Sequence, residues 1–284
     1  MKSAVGAVLA AALIAAAPAR HEELVVTGEA TQGALLRGQA PAGAVTLSLD
    51  GAPVGMAPDG RFLIAFDRDA GPLSRLEARL GDGRTVVREI PVAPRTWRIQ
   101  HLSLARRPPG AAFLRLREAE VARISAARSA RRVSEGWRQT FQWPAQGRIS
   151  GVFGSQRFYR GEPGAPHSGV DVAAGAGAPV VAPADGIVVL ASPPAFSLEG
   201  NLVMVDHGLG LVSAFLHLAS VAVREGETVR QGQRLGTVGA TGRATGPHLH
   251  WSLSWNGARV DPARFAAPMG AIRAGASPSP PTGR

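Results

Sequence analysis

Two segments in the first hundred residues repeat a large apolar side chain with a period of two. Residues 45–49 and 62–66 each carry an apolar side chain at every second position. A period of two puts those side chains on the same face of a β-strand. The pattern therefore predicts a small immunoglobulin-like β-sandwich over residues 20–105. Turn-forming residues separate the strands, at Asp50-Gly51, Pro58-Asp59-Gly60 and Gly81-Asp82-Gly83.

The next segment, residues 106–142, has a different composition. It opens with Arg-Arg-Pro-Pro-Gly, and residues 112–133 then contain neither proline nor glycine and are rich in alanine, arginine and glutamate. Leu114, Val121 and Ile124 recur at helical spacing, which predicts one amphipathic helix in a linker. We expect this helix to be a spacer or a strut packed across two domains. A helix that binds a partner is the alternative.

Residues 143–268 return to a pattern of short strands. The last residues, 269–284, contain Ser-Pro-Ser-Pro-Pro, which predicts a disordered tail. The sequence thus predicts a mainly β protein, with two β domains joined by a linker helix. The strand candidates of the second domain are Ile187–Leu190, Leu202–Asp206, Leu211–Leu218, Arg234–Val238 and Leu249–Trp255.

Composition narrows the possible partners and the possible metal ligands. The chain has 284 residues, a formal net charge of +10 and no cysteine. A basic protein can bind an anionic polymer, an anionic lipid surface or nucleic acid. The arginines are scattered without interleaved aromatic residues, which argues against nucleic acid. Without cysteine, disulfides and thiolate-bound zinc are excluded, so any metal must be held by histidine and carboxylate.

The first 19 residues have the features of a secretory signal peptide. Met1-Lys2 supplies a short positive region, and residues 4–16 form an alanine-rich apolar run. This run is shorter than the roughly 20 residues that a stable bilayer span needs. Ala17-Pro18-Ala19 fits the small-x-small cleavage pattern. We expect export to the periplasm or elsewhere in the cell envelope, with no membrane span after cleavage; an uncleaved anchor is the alternative.

The second β domain places histidines where they can share one site. His167 and Asp171 lie four residues apart where an apolar strand begins, and His217 ends another apolar strand. His248 and His250 are two apart on a strand, so their side chains point to one face. Two adjacent imidazoles are costly to bury without a metal or strong hydrogen bonds. We therefore interpret this set as a metal site.

The chemistry of the set fits a catalytic zinc. Such a zinc takes three nitrogen or oxygen ligands and leaves a fourth position for water. The usual His-Glu-x-x-His helix motif is absent, so the remaining histidines are the natural proton carriers. Spacing alone leaves open which histidines bind the metal. Three others are interpreted as surface or turn residues: His21, His101 and His207.

Residues 147–262 contain an ordered series of short motifs: Gly151-Val152-Phe153-Gly154 with Arg157, Pro166–Asp171, Ala182–Gly186, Gly200-Asn201, His217-Leu218, Gly226–Gly236, Thr241–Trp251 and Val260-Asp261-Pro262. With these motifs, residues 147–262 resemble the lysostaphin- and LytM-type zinc endopeptidases. The front half also resembles the N-terminal extensions of Gram-negative members of that family.

The resemblance implies a role for each site residue. His167, Asp171 and His250 would hold one zinc ion per chain, and His217 and His248 would be the catalytic pair. The implied activity is hydrolysis of peptide cross-links in bacterial peptidoglycan, with peptide stems as the substrate. A regulatory cell-wall protein is a possible further partner. The bond cleaved, a glycine–glycine bridge or a D-alanyl–diaminopimelate link, is left open.

Two other functions compete with the enzyme. A non-catalytic activator of cell-wall amidases would share the fold, although activators of this kind have lost metal ligands and none is lost here. A biotinyl or lipoyl carrier would need a lysine at a hairpin tip, but the chain's only lysine is Lys2. The resemblance also implies that the N-terminal region can lie over the groove and inhibit the site.

Overall fold

A computed structural model describes residues 23–105 and 108–270 of the chain. These residues form twenty strands and two α-helices, which confirms the prediction of a mainly β protein. The predicted signal peptide lies outside the described residues, as do His21 and nearly all of the predicted disordered tail.

Seven strands of the front unit form two antiparallel sheets. The sheet orders are β1-β2-β5 and β4-β3-β6-β7, and their apolar faces contribute to one buried cluster that includes Phe62, Ile64 and Leu76. The strands are β1 (Val25–Thr27), β2 (Leu35–Gln39), β3 (Ala44–Leu49), β4 (Ala52–Pro53), β5 (Arg61–Ala65), β6 (Leu73–Leu80) and β7 (Thr85–Pro91).

One apolar position of the alternating pattern does not face the core. Leu47 and Leu49 are buried, whereas 59% of Val45 is exposed. The register of β3 against β6 shifts between Ala44 and Thr46. A β-bulge of this kind breaks the alternation of faces, so Val45, which lies at the shift, need not follow the pattern.

The predicted helix forms but is not amphipathic in the expected way. Helix α1 spans Ala111–Ser129. Ile124 is buried, whereas Leu114 and Val121 are about half exposed, so the predicted apolar stripe is wrong. The helix packs Ile124 and Ala127 against an apolar cluster of the second unit. Ion pairs fix its polar side, including Arg117 with Glu199 and Arg123 with Glu225.

The segment after α1 is part of the second unit's core. Trp137 and Phe141 are almost fully buried, and Trp137 lies in a short 3-10 turn, Gly136–Arg138. A Cβ at Gly136 would lie 1.8 Å from the carbonyl oxygen of Asp185, so the chain passes there only without a side chain. The later part of the predicted linker is therefore packed rather than free.

Within residues 108–270, one sheet of ten strands carries the second unit. Its main path runs β17-β14-β15-β16-β19-β12-β9, and β13, β18 and β20 pair beside it. All these pairings are antiparallel. The strands are β9 (Arg148–Gly151), β12 (Gly169–Ala173), β13 (Pro179–Val181), β14 (Gly186–Ala191), β15 (Asn201–Asp206), β16 (Leu211–Val221), β17 (Thr228–Val229), β18 (Arg234–Val238), β19 (Leu249–Trp255) and β20 (Ala258–Val260), followed by α2 (Pro262–Phe265).

The front unit joins the second unit through a strand and through buried contacts. Strand β8 (Ile99–Leu102) pairs in parallel with β10 (Gln156–Tyr159), which also pairs with β11 (Glu162–Pro163). Arg95 forms an ion pair with the buried Asp261 at 2.9 Å. A single hydrophobic core includes residues of both units, so the two units pack as neighbours rather than hang on a flexible tether.

Of the two lone histidines within the described residues, one departs from expectation. His101 lies exposed on β8, as predicted. His207 follows β15 in a turn but is 0% exposed. Its Nδ1 is 2.8 Å from the Asp185 carbonyl oxygen and its Nε2 is 2.9 Å from Ser213 Oγ. Burial lowers the pKa of His207 to about 4, so the ring is a neutral core residue.

Neither of the two described helices combines the length and the apolar composition that crossing a bilayer requires.

Protonation of His207 should destabilise the fold at low pH. Its pKa is about 4 when folded and about 6.5 when unfolded, so the unfolded chain binds more protons between these values. Stability is unaffected at pH values above the pKa of the unfolded chain, and it falls as the pH drops from there toward the pKa of the folded protein. We expect this group to cost about 2–3 kcal/mol at pH 4.5 relative to pH 7.5, measured by urea denaturation.

The matched variants are His207→Gln and His101→Gln. The first should lose less stability on acidification than the wild type, whereas the second, at an exposed ring, should follow the wild type. Identical pH dependence in all three proteins would contradict the assignment.

Candidate metal centre

Two neighbouring strands set the position of a carboxylate and an imidazole. In the antiparallel pairing of β12 with β19, Asp171 lies directly opposite His250. Cross-strand partners share a face of the sheet, with Cβ atoms about 5 Å apart. Leu249 and Trp251 flank His250 and are fully buried on the opposite face, where Trp251 packs edge-on against Trp143. Burial of these neighbours fixes which way His250 points.

A loop before β12 brings a second imidazole to the same place. The backbone of His167 donates to the carbonyl of Ser155 at 2.8 Å and accepts from the Gly154 amide at 2.9 Å. Its ring Nδ1 lies 3.0 Å from the carbonyl oxygen of Val152. An N–H at Nδ1 donates to that carbonyl, so the lone pair of Nε2 faces Asp171.

Three potential ligand atoms converge at this point. His167 Nε2 is 3.0 Å from Asp171 Oδ1 and 3.0 Å from His250 Nδ1, and the last two atoms are 2.9 Å apart. The three residues form a group that could hold a metal ion. Ligands of a tetrahedral zinc ion lie about 3.4 Å apart, since each is about 2.1 Å from the metal. The cluster therefore fits such an ion with side-chain shifts of a few tenths of an ångström.

Two glycines leave the space that the cluster needs. A Cβ at Gly151 would lie 2.2 Å from Asp171 Oδ2, and one at Gly169 would lie 2.9 Å from His250 Nε2. Neither glycine has a positive φ, so the requirement is room beside the site and not backbone freedom. A larger residue at Gly151 would displace the Asp171 carboxylate, and one at Gly169 would collide first with the Trp251 carbonyl oxygen, at 2.2 Å, and then with the His250 ring.

Two more histidines stand beside the cluster. The rings of His217 and His248 are 4.8 Å apart between centroids, and His248 Nε2 is 3.9 Å from Asp171 Oδ1. His217 Nδ1 lies 2.9 Å from the Thr241 carbonyl oxygen, and His248 Nδ1 lies 2.9 Å from the Gly246 carbonyl oxygen. Both rings therefore use Nδ1–H on the backbone and leave Nε2 free for chemistry.

His217 lies inside β16, whereas the sequence had indicated that it ends the strand. It sits where the strand changes partner, from β19 along Leu211–Leu216 to β18 along Leu218–Val221. Its φ is +65°, a conformation that costs energy in a residue with a Cβ and that concentrates at functional sites. The bend turns the imidazole toward His248.

Burial and pairing set the charge states of the cluster. Burial alone would raise the pKa of Asp171, but hydrogen bonds with His167 and His250 outweigh it and hold that pKa far below its usual range. The carboxylate is therefore ionised. Burial lowers the pKa of His250 and of His217, so both imidazoles are held neutral, with a lone pair available. For His167, the Asp171 carboxylate offsets burial and raises the pKa.

The structure brings together all five residues singled out from the sequence, and leaves His101 and His207 elsewhere. Sequence reasoning missed the backbone carbonyls of Val152, Thr241 and Gly246, which orient three of the rings. No residue type signals a carbonyl acceptor. The glycines around Thr241–Gly246 were the available hint that the backbone there approaches the site closely.

Two curated relatives match the second unit. Over 105 residues the chain is 41% identical to peptidoglycan DD-endopeptidase ShyA of Vibrio cholerae, covering 37% of this chain and 24% of that protein. It is 42% identical over 102 residues to DD-carboxypeptidase/endopeptidase Mpg of Neisseria meningitidis, covering 36% of this chain and 23% of the relative. The matched part thus spans about a quarter of each relative's length.

A family model and a solved structure extend this result. The model described as peptidase family M23 matches residues 165–262, which include all five site residues. A crystal structure assigned to peptidase M23 from Pseudomonas aeruginosa superposes with a TM-score of 0.66 at 31% identity. The match covers 84% of this chain and 95% of that one, the front unit included. On this likeness and on the family match at the site, the chain belongs to peptidase family M23.

Proposed function

We propose that the protein is a zinc-dependent endopeptidase that hydrolyses peptide cross-links of bacterial peptidoglycan. One observation carries the proposal: the ligand atoms of His167, Asp171 and His250 lie within 4.8 Å of one another, with two oriented imidazoles beside them. In this proposal the three residues hold one zinc ion per chain. When bound, zinc acts as a Lewis acid that polarises the scissile carbonyl and lowers the pKa of water.

His217 is suited to accept a proton from the attacking water. Its Nδ1–H is held by the Thr241 carbonyl, and burial lowers the pKa of His217, so Nε2 carries a lone pair at neutral pH. His248, oriented by the Gly246 carbonyl, stands next to it; a doubly protonated ring, whose second proton comes from solvent, would donate from Nε2 to the oxygen of the scissile amide. The proton taken from water passes to the leaving amine. The chain thus supplies both proton transfers without a glutamate base.

The names of two relatives support the substrate. ShyA is named a peptidoglycan DD-endopeptidase, and Mpg a DD-carboxypeptidase/endopeptidase. A peptidoglycan substrate also agrees with the export signal predicted at residues 1–19, and supports a location in the periplasm or elsewhere in the cell envelope. The non-catalytic amidase activator is the weaker candidate, because the chain retains the full His/Asp/His/His/His set.

Removal of one ligand should abolish both metal binding and activity. With His250→Ala, only two potential ligands remain, so we expect zinc content to fall from about one ion per chain to near zero. Elemental analysis after dialysis measures the metal, and mass spectrometry of digested peptidoglycan measures the loss of cross-linked dimers. His101→Ala, at a histidine outside the site, should retain both. Full zinc and full activity in His250→Ala would refute this ligand set.

Removal of His217 should separate metal binding from catalysis. His217→Ala should retain the zinc but lose roughly 10²–10⁴-fold in cleavage rate, the usual contribution of a positioned base. The cleavage rate is measured by the same mass-spectrometric assay for the loss of cross-linked peptidoglycan dimers, and zinc content and the midpoint of urea denaturation serve as controls. If His217→Ala cleaved at the wild-type rate, His217 would have no role in proton transfer. If the zinc-loaded wild type cleaved no cross-links but activated a purified amidase, the proposal of an endopeptidase would be wrong and the amidase-activator function would take its place.

A further inference from the structure

A cavity of about 780 Å³ opens beside the candidate metal centre. His167 and Asp171 lie on its lining, and each has 23% of its side chain exposed. This volume lies within the range of about 300–1,000 Å³ found for small-ligand sites. The cavity therefore gives a ligand access to His167 and Asp171, two of the three candidate metal ligands.

Three arginines line this cavity: Arg98, Arg157 and Arg243. Asp171 is the only acidic residue of the lining, and its carboxylate is already engaged by His167 and His250. Among the residues that the structure describes, none of the three arginines forms an ion pair, whereas many other arginines of the chain do. Their charge is available to a ligand.

The arginines come from three separate parts of the chain. Arg98 lies just before β8, which belongs to the front unit's last segment, and Arg157 lies on β10 of the second unit. Arg243 lies in the loop after Thr241, the residue whose carbonyl orients His217. The cavity thus has one wall formed by the front unit's final strand, and this wall is absent from the residues that match the family model.

The wall that carries Arg98 is held firmly against the site. The Gln156 amide donates to the Arg98 carbonyl at 3.0 Å, and β8 then continues in parallel with β10. The preceding residue, Trp97, packs edge-on against Phe153, and a Cβ at Gly154 would lie 2.2 Å from its ring. The backbone of Arg98 is therefore fixed in place, although its side chain is exposed to the cavity.

Further contacts tie the wall to the arginines. Arg157 Nε donates to Gln100 Oε1 at 3.1 Å, which links β10 to β8 across the strand pair. Arg68 donates to the Gly154 carbonyl at 2.9 Å and its guanidinium lies over Trp97. The Arg157 guanidinium is thus held in place before a ligand arrives, which lowers the reorganisation that binding costs.

We propose that this cavity is a carboxylate-binding subsite, so that the front unit takes part in substrate recognition and selects an anionic peptide. Guanidinium groups pair bidentately with carboxylates and remain charged at all working pH values. The cleft concentrates field lines of one sign, which raises both the encounter rate and the affinity for anionic ligands. The peptide nature of the substrate rests on the proposed function, whereas the preference for negative charge rests on the arginines alone.

The test compares two soluble cross-linked peptides that differ only in charge. One carries free carboxylates beside the scissile bond, and in the other these are amidated. For the zinc-loaded wild-type protein, kcat/KM should be at least fivefold higher for the anionic peptide than for the amidated one. The difference should come from a lower KM, with kcat similar for the two peptides. The preference should shrink between 50 mM and 500 mM salt, because solvent-exposed charges are screened.

Arg98→Gln should remove most of this preference, by raising the KM of the anionic peptide severalfold and leaving the amidated peptide unaffected. Arg98→Lys keeps the positive charge but cannot pair bidentately with a carboxylate, so it should retain part of the preference for the anionic peptide. The matched control is Arg79→Gln, the same change at an exposed arginine of β6 in the front unit, remote from the cavity lining; it should behave as the wild type. Urea midpoints confirm that all variants are folded.

Equal kcat/KM for the two peptides in the wild type, or a preference unchanged in Arg98→Gln, would overturn the proposal. If neither peptide is cleaved, the proposed function fails, and the same peptides then test the subsite by equilibrium binding. Tighter binding of the anionic peptide, lost in Arg98→Gln and kept in Arg79→Gln, would support the subsite without the enzyme. Equal binding of both peptides would overturn it.

Discussion

The candidate metal centre depends on the antiparallel pairing of β12 with β19. That register places Asp171 opposite His250, and a slip of either strand by one residue would turn its side chain to the other face of the sheet, away from its partner. The register is held by the core, because Val170, Val172, Leu249 and Trp251 are all buried on the opposite face. Hydrophobic packing on one side of the sheet therefore maintains the geometry of the polar site on the other.

The pairing of strands sets the positions of the site residues, and backbone carbonyls set the orientation of three of the histidine rings. Val152, Thr241 and Gly246 each accept a hydrogen bond from the Nδ1 of one histidine, so three rings direct Nε2 into the same volume. A fixed tautomer and a fixed ring orientation raise the affinity of a ligand histidine and prepare a catalytic one. The glycines around the site serve the same end, because a Cβ at Gly151 would collide with the Asp171 carboxylate.

The front unit is part of this arrangement through its final strand. Arg68 and Arg95 enclose Trp97, and Trp97 in turn packs on the 153–154 segment that hydrogen bonds to His167. A family match to the second unit alone would treat the front half as an accessory. The packing instead makes the front unit one wall of the cavity beside the site, which borders His167 and Asp171 and leaves them partly exposed.

The sequence by itself determined the mainly β class and most strands of the second unit, and it singled out the five candidate residues that the structure brings together, because residue type and a period of two are local properties. It could not reveal the bulge that exposes Val45, the buried neutral state of His207 or the exposed side of α1, since each depends on which partner packs there. Only the tertiary structure decided that His217 sits at a bend where β16 exchanges β19 for β18, and that Arg98, Arg157 and Arg243 share one cavity. Such juxtapositions arise from non-local pairing, and no sequence spacing encodes them.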